Sequence, residues 1–107
     1  MSYRVVLNER AEDQLESAYL WWLKHHSPEQ ATRWYNGFLA ALESLHENPD
    51  RHGFARENPK FPVSVRELLF GLGRRNTHRA LFTIRHDLVF VFSIRHVAQS
   101  DVVSDEL

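Results

Sequence analysis

The stretch that decides the fold runs from His78 to His96 and reads HRALFTIRHDLVFVFSIRH. Its apolar residues are mostly β-branched or aromatic, and they lie on either side of the polar dipeptide His86-Asp87. This pattern predicts two β-strands joined by a tight turn, because such side chains favour extended backbone and polar residues favour turns. Both strands are apolar on both faces, which is typical of strands in the middle of a sheet.

Basic side chains lie at the open ends of this predicted hairpin. His78 and Arg79 begin the first strand, and Arg95 and His96 end the second. A hairpin brings its two open ends side by side, so two guanidinium groups and two imidazoles are expected at one edge of the sheet. Such a cluster is suited to binding phosphate or a carboxylate-rich partner.

The register of the hairpin decides which of these side chains share a face. If Arg85 pairs with Leu88 across the turn, Arg79 faces the same side as His96. A slip of one residue puts Arg79 beside Arg95 instead. The sequence leaves both registers open.

Two amphipathic helices are predicted before the hairpin. The first begins after Asn8, a plausible N-cap, and ends near His25-His26, where cations suit the helix dipole. The second begins at Ser27-Pro28, where Gln30 at the third helical position completes a start signal, and it stops by Asn48-Pro49. So short a link predicts an antiparallel helical hairpin. Its apolar stripes are typical of core packing, and Leu20 and Trp21 fall outside the stripe of the first helix.

Two further strands are predicted at residues 3–7 and 65–70. Residues 49–62 between them contain three prolines and a glycine, which exclude a long helix or a central strand. The element order β-α-α-β-β-β indicates an α+β fold, with the helical hairpin packed on one face of a small, mainly antiparallel sheet. The other face is expected to expose part of the sheet, and the acidic tail from Val97 to be loosely ordered.

Length and composition limit the class of protein. A chain of 107 residues is expected to form a single domain, residues 1–107. It contains no cysteine, and its seven histidines never stand four residues apart, so neither a metal site nor a cofactor is expected. No apolar run is long enough for a membrane span, and the N-terminus lacks the apolar core of a signal peptide. These features predict a soluble, cytoplasmic protein.

The formal net charge is −1, but the charges are unevenly distributed. Residues 1–50 contain four basic and eight acidic side chains, whereas residues 51–96 contain nine basic and three acidic ones. This asymmetry has two interpretations: ordinary solvated surfaces, or a basic face for an anionic partner. The near-neutral total argues against broad, non-specific binding to nucleic acid.

The element order and several sequence segments resemble the RelE/ParE superfamily of toxins from bacterial type II toxin–antitoxin systems, often called plasmid-stabilisation proteins. The resemblance covers residues 3 to about 99 and rests on Tyr3-Arg4-Val5, Arg66-Glu67-Leu68, Arg79 to Ile84, and Val89 to His96. It implies a RelE/ParE-like fold and a small cytoplasmic toxin. It also implies a cognate antitoxin that wraps the toxin in a hetero-oligomer.

The superfamily has two branches with different activities. RelE-like members are metal-independent, ribosome-dependent mRNA endonucleases, and for this branch the resemblance implies Arg79 and His96 as catalytic residues. ParE-like members bind and poison DNA gyrase, with no catalytic residues assigned. The second branch is favoured here, because nucleases often place an Arg or Tyr just beyond the position of His96, and residues 97–100 contain neither. A third hypothesis is a degenerate toxin that binds only its antitoxin.

Either activity needs a cationic surface. Arg79 also has a structural alternative, which is an ion pair with Glu67 or Asp101. The predicted target- or phosphate-binding residues are Arg56, Lys60, Arg74, Arg75, Arg79, Arg95 and His96.

Overall fold

The computed structural model describes residues 2–107 and contains two helices packed on one face of a four-stranded sheet. The predicted α+β class and the order β-α-α-β-β-β are confirmed. The elements are β1 (Arg4–Leu7), α1 (Glu9–His25), α2 (Pro28–Glu43), β2 (Arg66–Phe70), β3 (His78–Arg85) and β4 (Leu88–His96).

The sheet has the strand order β1-β4-β3-β2. The three later strands pair antiparallel, and β1 pairs parallel to β4, so the sheet is mixed but mainly antiparallel. The pairing between β1 and β4 ends at Leu7 opposite Val91, because the chain turns into α1 at Asn8. Within residues 2–107, the last part of β4, residues 92–96, therefore has no strand neighbour on that side.

Both helices begin where the capping residues predict. The side chain of Asn8 accepts a hydrogen bond from the N–H of Ala11 at 2.8 Å. Ser27 accepts from the N–H of Gln30 at 3.1 Å, and the Gln30 side chain accepts in return from the N–H of Ser27. These bonds satisfy backbone N–H groups that are otherwise unpaired at the start of a helix. They fix the residue at which each helix begins, and with it the position of the short link between the helices.

The hairpin of β3 and β4 combines both predicted registers. Arg85 pairs with Leu88 at the turn, but a β-bulge at Phe92 adds one residue to β4. Beyond the bulge, Arg79 pairs with Arg95. The bulge moves the side chains that follow it to the opposite face of the sheet, so Arg79 and His96 lie on different faces.

The sheet is covered on both faces, which differs from the exposed face that the sequence predicts. The helices cover one face over a core that includes Trp34, Phe38 and Phe82. The loop before β2 and the C-terminal tail cover the other, which we call the loop face. Leu81 and Phe92 point to the loop face, and leaving them in water would be unfavourable. The side chains that bury them are Ala55, Phe61, Val65 and Val102.

The C-terminal tail is thus packed against the sheet, where the sequence led us to expect loose order. Val102 is only 2% exposed, whereas its neighbour Val103 is 58% exposed. The tail takes this position because the apolar side chains of β3 and β4 on the loop face are buried beneath it.

Shortening Val102 should destabilise the fold, whereas the same change at Val103 should not. We expect Val102→Ala to lower the free energy of unfolding by about 2 kcal/mol, because two buried methyl groups are lost and a small cavity remains. Urea unfolding followed by circular dichroism measures both variants. Equal effects of the two substitutions would show that the tail does not pack on the sheet.

Candidate functional site

Arg79 is buried, with 1% of its surface exposed. Its guanidinium donates two hydrogen bonds to the carboxylate of Glu57, one of them 2.9 Å long, and a third to Glu67 at 3.1 Å. Of the two acidic partners predicted as alternatives, Glu67 is found and Asp101 is not. In this arrangement Arg79 lies inside the loop face and has no surface to offer to an outside ligand.

Glu57 is the principal partner of Arg79, and sequence reasoning missed it. Its carboxylate also accepts a hydrogen bond from the N–H of Val102 at 3.0 Å, so it connects the loop, β3 and the tail. Burial by itself raises the pKa of Glu57, but the hydrogen bonds from Arg79 and Val102 outweigh burial and lower the pKa to about 2. The sequence held one signal, an acidic residue in a basic loop between the apolar Ala55 and Phe61.

His78 and His96 lie on the helix face, at the open end of the hairpin. Their rings are 5.3 Å apart, and His78 also packs edge-on against Trp34 at 4.8 Å. Burial, with a smaller contribution from nearby His96, lowers the pKa of His78 to about 4, so this ring is neutral at pH 7. His96 is exposed, and its Nδ1 accepts a hydrogen bond from the N–H of Ala98 at 3.0 Å, which leaves Nε2 to carry the proton.

The two side chains predicted as catalytic under the nuclease hypothesis are therefore not brought together. Arg79 points to the loop face and is held by two carboxylates, whereas His96 lies on the helix face. In this arrangement Arg79 cannot bind the same phosphate that His96 would protonate.

The other predicted cations remain at the surface. Arg95 donates to the carbonyl of Ser100 at 2.7 Å, while Arg56 pairs with Asp101. Arg74 and Arg75 are exposed in the connection between β2 and β3. Among residues 2–107, the predicted cations that form no ion pair are Lys60, Arg74, Arg75 and Arg95.

Most of these surface cations share one end of the sheet. The N–H of Val97 donates to the carbonyl of Thr77 at 2.9 Å, so the end of β4 lies beside the connection that carries Arg74 and Arg75. Arg56 joins this end through the carbonyl of Gln99, at 3.0 Å. We call this set the cationic rim: Arg56, Arg74, Arg75, Arg95 and His96. Lys60 lies in the loop that covers the loop face, outside the rim.

A groove of about 1000 Å³ adjoins the cationic rim on the helix side, between α1 and the unpaired end of β4. Its apolar lining includes Ala18, Trp22 and Ile94, and Trp21 at its border is 51% exposed. The N–H of Ile94 is held by the side chain of Gln14 at 2.7 Å. We call this feature the strand-edge groove. Arg95 and His96 line both the groove and the rim.

The described part of the chain contains no group of three or more metal-ligating side chains placed to hold a metal ion. Within residues 2–107, neither helix has the length and apolar character needed to cross a membrane.

Comparison with known proteins places these features in a family. The family model described as "ParE toxin of type II toxin-antitoxin system, parDE" matches residues 5–100. No curated protein matches the chain. Among solved structures, a chain described as "Chromosomal ParDE TA system from P. aeruginosa" has the same fold, with a TM-score of 0.70 and 19% sequence identity. The superposition covers 90% of this chain and 97% of that chain.

The lowered pKa of Glu57 predicts a loss of stability in acid. The folded pKa, about 2, lies below the ordinary value of 4.5, so the contribution of this carboxylate is complete above about pH 5 and is lost as the pH falls toward 2. We expect the free energy of unfolding of the wild type to fall over this range, and that of Glu57→Gln to fall less steeply. Glu57→Gln should also be less stable at pH 7, because Arg79 loses part of its charge compensation.

Urea unfolding between pH 2 and 7 tests this expectation. Glu16→Gln, which changes an exposed carboxylate on α1, is the matched control and should follow the wild type. In the wild type, carbon NMR of the Glu57 carboxyl group should show a midpoint near 2. A midpoint near 4.5 would contradict the buried ion pair.

Proposed function

Because this chain belongs to the ParE family of type II toxins, we propose that it arrests growth by binding and poisoning DNA gyrase. We further propose that a cognate antitoxin neutralises it within a hetero-oligomeric complex. In this proposal the chain acts by binding alone and uses no catalytic side chain, metal or cofactor.

The buried position of Arg79 is the observation that favours a toxin acting by binding over a nuclease. The nuclease alternative requires a guanidinium on the transferring phosphate and an acid or base close to the same atoms. Arg79 is occupied by Glu57 and Glu67 on the loop face, and His96 is on the other face. Opening the ion pair would leave the buried carboxylate of Glu57 uncompensated, which costs several kcal/mol.

The cationic rim is the surface that we propose for contact with the target. Arg74, Arg75 and Arg95 form no ion pair within residues 2–107, so their charge is available to a negatively charged surface of gyrase. Attraction between exposed charges is screened by salt, and it accelerates association more than it strengthens the final complex. Gyrase inhibition should therefore weaken as the ionic strength rises.

Induced expression with two parallel readouts separates the three functional hypotheses. We expect growth arrest with a loss of plasmid supercoiling while cellular mRNA stays intact. Cleavage of mRNA in a translating extract, with gyrase unaffected, would instead establish the RelE-like alternative. Absence of growth arrest would indicate a degenerate chain that binds only its antitoxin.

A charge reversal in the cationic rim should weaken the action on gyrase. We expect Arg75→Glu to reduce inhibition of supercoiling by purified gyrase on the order of tenfold, because a favourable long-range attraction becomes a repulsion. Arg85→Glu is the matched control, since Arg85 is also exposed but lies at the closed end of the hairpin. Both variants should unfold at the same temperature as the wild type. Equal inhibition by both variants would remove the rim from the target interface.

A further inference from the structure

We propose that the connection between β2 and β3, together with the end of β4, binds the phosphodiester backbone of duplex DNA. We call residues 71–76 the arginine loop, because this connection presents the exposed side chains of Arg74 and Arg75. Binding of DNA at this site goes beyond the proposed contact with gyrase, since it needs no other protein.

The arginine loop is closed at its base by backbone contacts. The N–H of Thr77 donates to the carbonyl of Phe70 at 2.9 Å, so the two ends of the loop are held together. Gly71 lies so close to the carbonyl of Arg75 that any side chain on this glycine would clash with the backbone. Residues 73–76 are exposed. The loop therefore presents its two arginines from a fixed base, which lowers the cost of ordering them when a ligand binds.

The positive charge of the loop is not compensated nearby. Between Glu67 and Asp87 the sequence contains no acidic residue. In the described part of the chain, Arg74, Arg75 and Arg95 form no ion pair. Three guanidinium groups are thus available at one end of the sheet, where they can each replace a counterion on a phosphate.

The rest of the surface confines DNA to this end of the molecule. Residues 1–50, which include β1 and both helices, contain four basic and eight acidic side chains. At the start of α1, Glu9 and Asp13 line the strand-edge groove together with Arg95. The helical layer therefore repels DNA, and the contact is centred on the arginine loop. A contact this small, on a chain of near-neutral net charge, gives weak binding that depends strongly on salt.

The chemistry of the loop favours phosphate over the carboxylates of a protein surface. The guanidinium group donates hydrogen bonds in a fork that fits phosphate oxygens, and arginine is widely used in nucleic-acid recognition. Protein interfaces depend instead on large apolar or aromatic side chains that fill pockets. The one large apolar residue of the arginine loop is Leu72, which is half-buried. The loop can thus bind phosphate oxygens, but it has no exposed side chain to fill an apolar pocket.

The same composition favours a DNA duplex over the other nucleic acids. Single strands are bound by stacking their bases on aromatic rings, and residues 71–76 contain none. Domains that recognise duplex RNA by its shape span about 16 base pairs, which one loop and one strand end cannot do. The phosphodiester backbone is common to both duplexes, so the comparison of DNA with RNA belongs to the test.

Under the proposed function, DNA binding would bring the chain to its target. Gyrase acts on DNA, so a toxin that associates with the duplex is concentrated where gyrase is bound. Release is fast when the contact is weak, which leaves the chain free to move along the DNA.

Fluorescence anisotropy of a short labelled DNA duplex of mixed sequence tests the site. We expect the wild-type chain to bind at about 50 mM salt, and the logarithm of its affinity to fall with the logarithm of the salt concentration with a slope of about −2.7, as for three phosphate contacts. Arg75→Glu should weaken binding about tenfold and make the slope shallower by about one. Arg85→Glu, at the exposed closed end of the hairpin, should change neither quantity.

Two glycine substitutions separate the shape of the loop from its charge. Gly71→Ala forces the base of the loop apart and keeps every charge, whereas a methyl group on Gly73 meets no atom within 4 Å. We expect Gly71→Ala to weaken DNA binding several-fold and Gly73→Ala to leave it unchanged, with the circular dichroism of both variants like that of the wild type. Equal binding by the two variants would overturn the inference, because charge without a defined loop would then account for the attraction.

Four other outcomes also overturn the inference. Two of them are absence of binding to the duplex at about 50 mM salt and equal weakening by Arg75→Glu and Arg85→Glu. The third is tighter binding of an RNA duplex of the same sequence, which would make RNA the ligand. The fourth is displacement of the DNA by poly-glutamate at equal charge, which would make an acidic protein the ligand. Gyrase inhibition would stand in each case, and failure of the proposed function has a separate sign, which is unaltered supercoiling on expression.

Discussion

The ion pair between Arg79 and Glu57 holds together the loop face, which lies opposite α1 and α2. It connects β3 to the loop and, through the N–H of Val102, to the tail. Burying two charges is costly, and the cost is offset only because the carboxylate has several donors and the guanidinium also reaches Glu67. The apolar residues of the loop and tail then close over β3 and β4. The second core of the fold thus depends on one polar contact between residues far apart in sequence.

This contact divides the cations of the chain into two kinds. Arg79 is committed to the fold, whereas Arg74, Arg75 and Arg95 keep their charge at the surface. Each of the four contributes one positive charge to the net charge, and they differ only in how deeply they are buried. A toxin that acts by binding can use the surface cations without disturbing its interior, because the charge that stabilises the fold and the charge that meets a partner belong to different residues.

Local signals in the sequence were sufficient to predict the elements and their order. The caps at Asn8 and Ser27 and the apolar strands around His86-Asp87 act within a few residues, so they can be read directly. The bulge at Phe92 and the role of Glu57 could not be predicted in this way. A bulge depends on how side chains fill two cores, and the partner of Glu57 lies 22 residues along the chain. The covered loop face was missed for the same reason.

The single inserted residue at Phe92 reverses the face to which each later side chain of β4 points. Without it, Ile94 would pair with Arg79 and point toward the carboxylates, while Arg95 would point under the helices. This one residue therefore keeps the apolar side chain of Ile94 under the helices and the charged side chain of Arg95 on the loop face. In a relative without this insertion, apolar and polar side chains would have to change places at every position from 93 to 96. The length of β4, more than the identity of any one side chain in it, should accordingly be the trait that changes least when such chains diverge.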